Sequence, residues 1–433
     1  MNARTLTALA LLLPLARAPA GIAQEPALTA PAYVTLALAA SPEVRQAEES
    51  FRGADGAYKA LFATMVLPTL SFTAQSYPYG DDPLLGYQHH RLRLRSSDMT
   101  ANTSVNWNLF NGFKDVLKVR SAAAARDSAS KALDAARNER AFAAVQVFYQ
   151  LSARERLLAV AREDLRAQSD QYRETEDLYK HGLKSLSDLY KSETEWRSSE
   201  IRLISAEADY KGSLQPFNEM ISRPPWEAHS LPDDLTPGAT ELPRIEEDAA
   251  LIVQRRAEIA RSLRDADRAV EQERQSLLGL FPDAALNAAW NRREKGPGSA
   301  PSPNSQVGLS LSLPFGFNVV TQGYDYAAAR AEKRRARAAA DAALRTAREE
   351  LYAAWVGLER ASLIYGLAAR QEEIAARGLE IVETQYRQGT TDALRMAQAR
   401  SDFLSARVQR ATALQNIFVN RAAYRRAAGV PLW

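Results

Sequence analysis

The chain has 433 residues, 46% hydrophobic and 8% aromatic, enough to bury a core and too apolar for wholesale disorder. Its 55 basic and 52 acidic side chains leave a formal charge of +3, without the basic excess of a nucleic-acid binder. There is no cysteine, which excludes disulfide frameworks, thiolate metal sites and thiol chemistry.

Residues 1–23 have the pattern of a secretory signal. Arg4 is the positive flank, the run from Leu6 to Leu15 is apolar, and Gly21-Ile22-Ala23 offers small residues for cleavage. An apolar run of about ten residues falls short of the ~20 needed to cross a membrane as a helix. No later stretch is longer, which leaves a soluble exported protein or a β-barrel, whose alternating strands escape hydropathy.

The remainder reads as two tandem copies of one design: a first repeat over 24–222, a linker over 223–244 and a second repeat over 245–433. Each copy opens with a helix, near Ser41 and near Arg256, that runs to a proline, Pro68 or Pro282. Period-two segments follow at 69–75 and 103–109, then at 284–291 and 306–313. Their apolar sides are Leu70, Phe72 and Ala74; Val105, Trp107 and Leu109; Leu286, Ala288 and Trp290; and Val307, Leu309, Leu311 and Leu313. Residues 77–100 and 293–305 read as loops between the paired segments.

Proline-free helical stretches then cover 114–179 and 324–386. Some 65 residues at about 1.5 Å each make a rod of roughly 100 Å, which needs lateral partners. Tyr179-Lys180-His181-Gly182 matches Tyr386-Arg387-Gln388-Gly389 at an offset of 207. At that offset two seven-residue columns align: Ala144, Leu151, Leu158, Leu165, Tyr172 and Tyr179 with Leu351, Leu358, Tyr365, Glu372, Leu379 and Tyr386. Such spacing keeps one face against a partner helix. Gly182 and Gly389 suit left-handed turns that send helices back to about Gln215 and Arg426.

This order of elements, duplicated, resembles the TolC-like outer-membrane efflux proteins. Supporting motifs are Ser41-Pro42-Glu43-Val44, Leu109-Phe110-Asn111-Gly112, Leu313-Pro314-Phe315-Gly316 and Ala428-Gly429-Val430-Pro431. The resemblance implies a mainly α fold with a transmembrane β part. Four strands per chain would close as a trimeric 12-stranded barrel above an α-helical tunnel. It implies the exit channel of a tripartite efflux or type I secretion system, lodged in outer-membrane lipid and reaching across the periplasm. Its partners would be a periplasmic adaptor docking on the turns at Gly182 and Gly389, and an inner-membrane pump. Pro68, Pro282 and Pro314 would mark helix–strand transitions.

The resemblance also implies polar ties that close the periplasmic end. Asp188 matches the acidic residue after the first glycine and Tyr386 the tyrosine before the second. The usual basic partner is replaced by Thr391, and Arg395 and Gln398 stand where relatives carry an acidic ring. Arg395 is the candidate substitute partner for Asp188. A second reading is a soluble periplasmic coiled-coil adaptor or scaffold protein, but adaptors carry one hairpin flanked by compact β-domains. His89 and His90, beside Arg91, Arg93 and Arg95, read as solvated loop residues; His181 is a turn residue and His229 a linker residue. No catalytic constellation or phosphate loop is visible, so no enzyme, cofactor, metal or nucleic acid is expected. Lys333-Arg334-Arg335 reads as a solvated helix face.

Overall fold

The computed structural model describes residues 27–80, 93–232, 237, 242–295, 302–313, 317–388 and 390–432. The signal at 1–23, His89, His90, Arg91, Pro314 and Gly389 lie outside these residues. Each half opens with a pair of helices where the sequence pattern shows one. In the first, α1 (Ala30–Ala40) and α2 (Pro42–Val66) are separated by Ser41 alone. In the second, α5 (Ile245–Arg255) and α6 (Ala257–Leu277) are separated by Arg256 alone. An 11-residue helix is marginal in water; α1 and α5 are held by docking, which local pattern does not reveal. Tyr33, Val34 and Ala37 of α1, and Ile252 of α5, are fully buried. Ser41 caps α2, its Oγ accepting the Val44 N–H at 3.2 Å, and Pro42 occupies a position where a missing N–H costs nothing.

Four strands form one antiparallel sheet in the order β1-β2-β3-β4: β1 (Thr69–Gly80), β2 (Arg93–Phe110), β3 (Asp283–Lys295) and β4 (Ser302–Ser312). All four expected strand positions carry strands, but all four run beyond the expected bounds, β4 starting at Ser302 and ending at Ser312. The loops expected at 77–100 and 293–305 are correspondingly shorter. Asp98, for example, pairs with both Tyr77 and Lys295. Backbone pairing needs no apolar side chain, so this extension is invisible to a hydrophobic pattern.

The register aligns the two faces across the whole sheet. Leu70, Val105, Ala288 and Val307 form one apolar row, and Trp107, Leu286 and Leu309 another. The opposite face is polar. Asn106 Nδ2 donates to Asn287 Oδ1 at 2.8 Å, Asn287 Nδ2 to Ser310 Oγ at 2.8 Å, and the Ser71 and Ser104 hydroxyls meet at 2.6 Å.

The two rods are α3 (Lys114–Lys180) and α7 (Phe317–Arg387), followed by returning helices α4 (Leu186–Met220) and α8 (Ala393–Ala427). Helix α4 continues through Pro216 past the expected end at Gln215, because Phe217 and Asn218 are fully buried and hold its last turn. At the strand-to-rod transition Gly112 has φ +62°, and a Cβ there would collide with Phe281. Lys114 Nζ bonds Asp283 Oδ1 at 2.8 Å, fixing the start of α3 to the start of β3.

Packing is one helix deep. Near the sheet the helices lie in the order α2-α3-α6-α7, and towards the turns in the order α4-α3-α8-α7. Apolar clusters sit between the rows. Tyr33 stacks on Phe217 at 4.1 Å and donates to its carbonyl at 2.9 Å. Leu351, Leu358, Ile252, Ile259 and Tyr424 form the matching cluster in the second half. The upper part of the expected column, Ala144, Leu151 and Leu158, is buried; Tyr179 at its lower end is 38% exposed. Buried Ala161, Gln168 and Thr175 carry the seam there instead. Glu372, the charged break in the second column, receives Arg410 of α8 at 2.8 Å.

Candidate functional site

Two regions carry chemistry beyond packing: the sheet face and the helical tip. On the sheet, the apolar side is open to its surroundings. Leu70, Phe72, Val307 and Leu309 are each exposed, Leu309 by 71%. Among the described residues no helix packs on this face, and the outer sides of β1 and β4 have no strand neighbour. A solvated protein does not tolerate such a face with two unpaired edges. Among the described residues no helix is long and apolar enough to cross a membrane.

At the tip, α3 ends in a Schellman turn. Gly182 N–H bonds the Tyr179 carbonyl at 2.9 Å and Leu183 N–H the Leu178 carbonyl at 2.9 Å. Gly182 takes φ +73° and a Cβ there would meet nothing within 4 Å, so the turn projects freely. In the second half Thr390 N–H bonds the Gln385 carbonyl at 2.9 Å, the equivalent of the Leu183 bond at the same offset of 207. Gly389 itself lies outside the described residues.

The helices that leave these turns start alike. Ser185 caps α4 and Asp392 caps α8, placing Asp188 and Arg395 at equivalent third positions. Asp188 closes a capping box: its carboxylate accepts the Ser185 N–H at 3.1 Å and the Ser185 hydroxyl at 2.7 Å. The hydroxyl bond, more than any other cause, holds the Asp188 carboxyl below the usual carboxylate range. Asp188 and Tyr386 line one narrow cleft with Gln168, Thr175 and Arg400. Arg395 and Gln398 do not. Within a protomer no ion pair joins Arg395 to Asp188 among the described residues, and Gln398 donates to Asp402 at 2.8 Å. The Thr391 hydroxyl is buried without a partner.

Sequence reasoning passed over two basic residues at this tip. Arg400 bonds Glu383 Oε1 of α7 at 3.2 Å and the Ala167 carbonyl of α3 at 3.3 Å, linking three helices. Lys184 places Nζ 4.2 Å from the centre of the Tyr386 ring. The seven-residue spacing of Arg400, Arg407 and Leu414 was a readable signal for the first. Lys333 also departs from the solvated-face expectation: it turns to Glu273 of α6, with Nζ 2.6 Å from Oε1. His229 Nε2 lies 2.6 Å from Asn218 Oδ1, seating the start of the linker on the end of α4.

The sequence family described as outer membrane efflux protein matches residues 33–220. Solved structures match nearly the whole chain. The CmeC outer membrane channel of Campylobacter jejuni aligns with a TM-score of 0.77 at 16% identity, over 92% of this chain and 85% of that one. VceC, an outer membrane protein of Vibrio cholerae, aligns with a TM-score of 0.75 at 17% identity, over 93% and 97%. The MtrE outer membrane channel of Neisseria gonorrhoeae, in its open state, aligns at 0.74 and 16% identity, over 92% and 88%. The chain has the fold of these outer-membrane channels. A search of curated protein sequences finds no match.

The capping box yields a test. Ser185→Ala removes the acceptor of the Asp188 N–H and should lower stability by about 0.5–2 kcal/mol in chemical denaturation. Because the folded pKa of Asp188 is depressed, its contribution is present at neutral pH and is lost as pH falls through that lowered value. The Ser185→Ala protein should show a smaller loss of stability over the same acidic range.

Proposed function

We propose that the chain is one third of an outer-membrane exit channel that passes substrates from the periplasm to the outside. The observation that carries this reading is the open apolar face of a sheet whose other face is a polar hydrogen-bonded ladder. In lipid every backbone group must be paired, so a four-stranded sheet cannot stand there alone. Three copies of four strands give a twelve-stranded barrel with no edge, apolar outside and lined within by Asn106, Asn287 and Ser310. Below it the rods continue the wall as a tunnel. The alternative, a soluble adaptor, leaves the apolar sheet face without an occupant, and no compact β-domain is present among the described residues.

Purified protein should have the mass of a trimer in mild detergent and conduct ions in planar bilayers. Arg at Leu309 should cost about 2–4 kcal/mol of insertion if it sits near the bilayer centre, whereas Arg at lumen-facing Ser310 should not. Equal tolerance at both positions, or a monomer soluble without detergent, would remove the channel reading.

The tip is proposed to do two further things. The turns at Gly182 and Gly389 dock a periplasmic adaptor that links to an inner-membrane pump, and the exposed, uncovered geometry of the first turn supports this. Gly182→Val combined with Gly389→Val should lower export while trimer yield stays normal; unchanged export would place docking elsewhere.

The cleft holding Asp188 and Tyr386 is the proposed gate. Arg395 is there a partner for Asp188 of a neighbouring copy, and Gln398 lies one turn further along the same helix. Arg395→Ala should raise leak conductance, and the swap Asp188→Arg with Arg395→Asp should restore the closed state. No change in conductance would leave Arg400 and Lys184 as the groups that hold the tip.

A further inference from the structure

A cavity of about 250 Å³ lies between α3 and α8, where the two halves of the chain meet, and the proposed channel makes no use of it. Val145 and Tyr149 line it from α3, and Phe418 and Ala422 from α8. Two of these side chains form an aromatic surface. The Tyr149 and Phe418 rings are stacked, with centroids 4.5 Å apart and an interplanar angle of 4°. Leu432 and the first residues of α1 complete the apolar wall. Because α3 and α8 are the inner members of the lower row, the cavity lies away from the row's two ends.

The charge around it is of one sign. Arg421 and Arg425 of α8, one helical turn apart and both half-buried, line the cavity, and among the described residues no carboxylate does. The Arg421 guanidinium stands 6.0 Å from the centre of the Phe418 ring. Burial pushes the Tyr149 hydroxyl above the usual phenol range, and the nearby charge of Arg421 opposes that rise.

Arg425 differs from the arginines around it. Arg426 reaches Glu139 at 2.5 Å, and Arg255, against which Gly429 packs, reaches Asp248 at 2.8 Å. The Arg425 side chain has no ion-pair or hydrogen-bond partner among the described residues. A half-buried guanidinium beside an apolar cavity gains most from a carboxylate, whose two oxygens match its fork of donors. A cation would meet two positive charges there, and a purely apolar solute would leave Arg425 unpaired. The volume is about eight times the ~30 Å³ share of a water in the liquid, room for one small molecule and not for a helix.

We infer that this cavity binds a small amphipathic anion, its aromatic or alkyl body against Tyr149, Phe418, Val145 and Ala422 and its carboxylate on Arg425, with Arg421 beside it. Bound there, the ligand touches the first half through α3 and the second through α8, and stabilises the folded chain by mass action. The site belongs to a single protomer and stands apart from the trimeric reading.

The test uses 4-phenylbutyrate, because its amide has the same shape without the charge. With the full chain in phosphatidylcholine nanodiscs, and empty nanodiscs as the blank, titration calorimetry should show saturable binding of one 4-phenylbutyrate per chain. The melting temperature should rise with it. The neutral 4-phenylbutyramide should bind at least tenfold more weakly. Arg425→Gln should weaken binding of the acid about tenfold and Arg425→Glu should abolish it. Arg337→Gln, on an exposed position of α7, should leave it unchanged.

Equal affinity for acid and amide overturns the site, as does undiminished binding to Arg425→Glu. Absence of binding to the wild type overturns it too. If binding then appears in Trp433→Ala, the residue that follows Leu432 is the occupant and no ligand is.

Discussion

A wall one element deep can bury side chains only sideways. Every helix and strand of this chain sits in such a wall, and the constraint governs the rest of the structure. A helix of 67 residues has two lateral flanks to cover and no layer behind it. The chain meets this with rows in which α3 is flanked on both sides, by α2 and α6 above and by α4 and α8 below. Where a row ends, an exposed apolar seam remains, and the sheet ends the same way in unpaired edges. The protomer thus leaves apolar surface uncovered that a second layer would cover in a globular domain.

The same constraint explains where the buried charges fall. The buried faces are narrow stripes bordered by arginines and carboxylates close enough to pair across helices. Asp164 is almost fully buried and accepts from both Nε and a terminal nitrogen of Arg202, at 3.0 and 2.8 Å. Arg256 is nearly as buried and reaches Glu350 at 2.6 Å. Towards the tip the seam becomes more polar, with Gln168 and Thr175 in the places that leucine holds above. A polar seam is broken and remade more readily than an apolar one. Arg400 sits there with bonds to two helices, so any movement of α8 relative to α3 must break it.

The duplication is geometric more than chemical. Ser41 and Arg256 occupy the same extended break, yet one is a capping hydroxyl and the other a guanidinium paired to Glu350. Ser185 and Asp392 cap equivalent helices, yet the third positions carry opposite charges, Asp188 and Arg395. Two copies of one backbone design thus present different surfaces at the same height.

Much of this was legible in the sequence because its causes are local. Period-two alternation marked the strands, seven-residue columns marked the rods, and a glycine after tyrosine marked the turn that Gly182 makes with φ +73°. The lengths of the four strands, the existence of α1 and α5, and the run of α4 through Pro216 were not legible. Each depends on contacts far along the chain: strand pairing beyond the apolar band, docking of Tyr33 on Phe217, and burial of that same phenylalanine. The tip shows the division most clearly. Sequence offset placed Asp188 and Arg395 at equivalent positions, and the fold agrees. Only the tertiary structure decided that Arg400 enters the cleft, because its partners, the Ala167 carbonyl and Glu383, lie on two other helices.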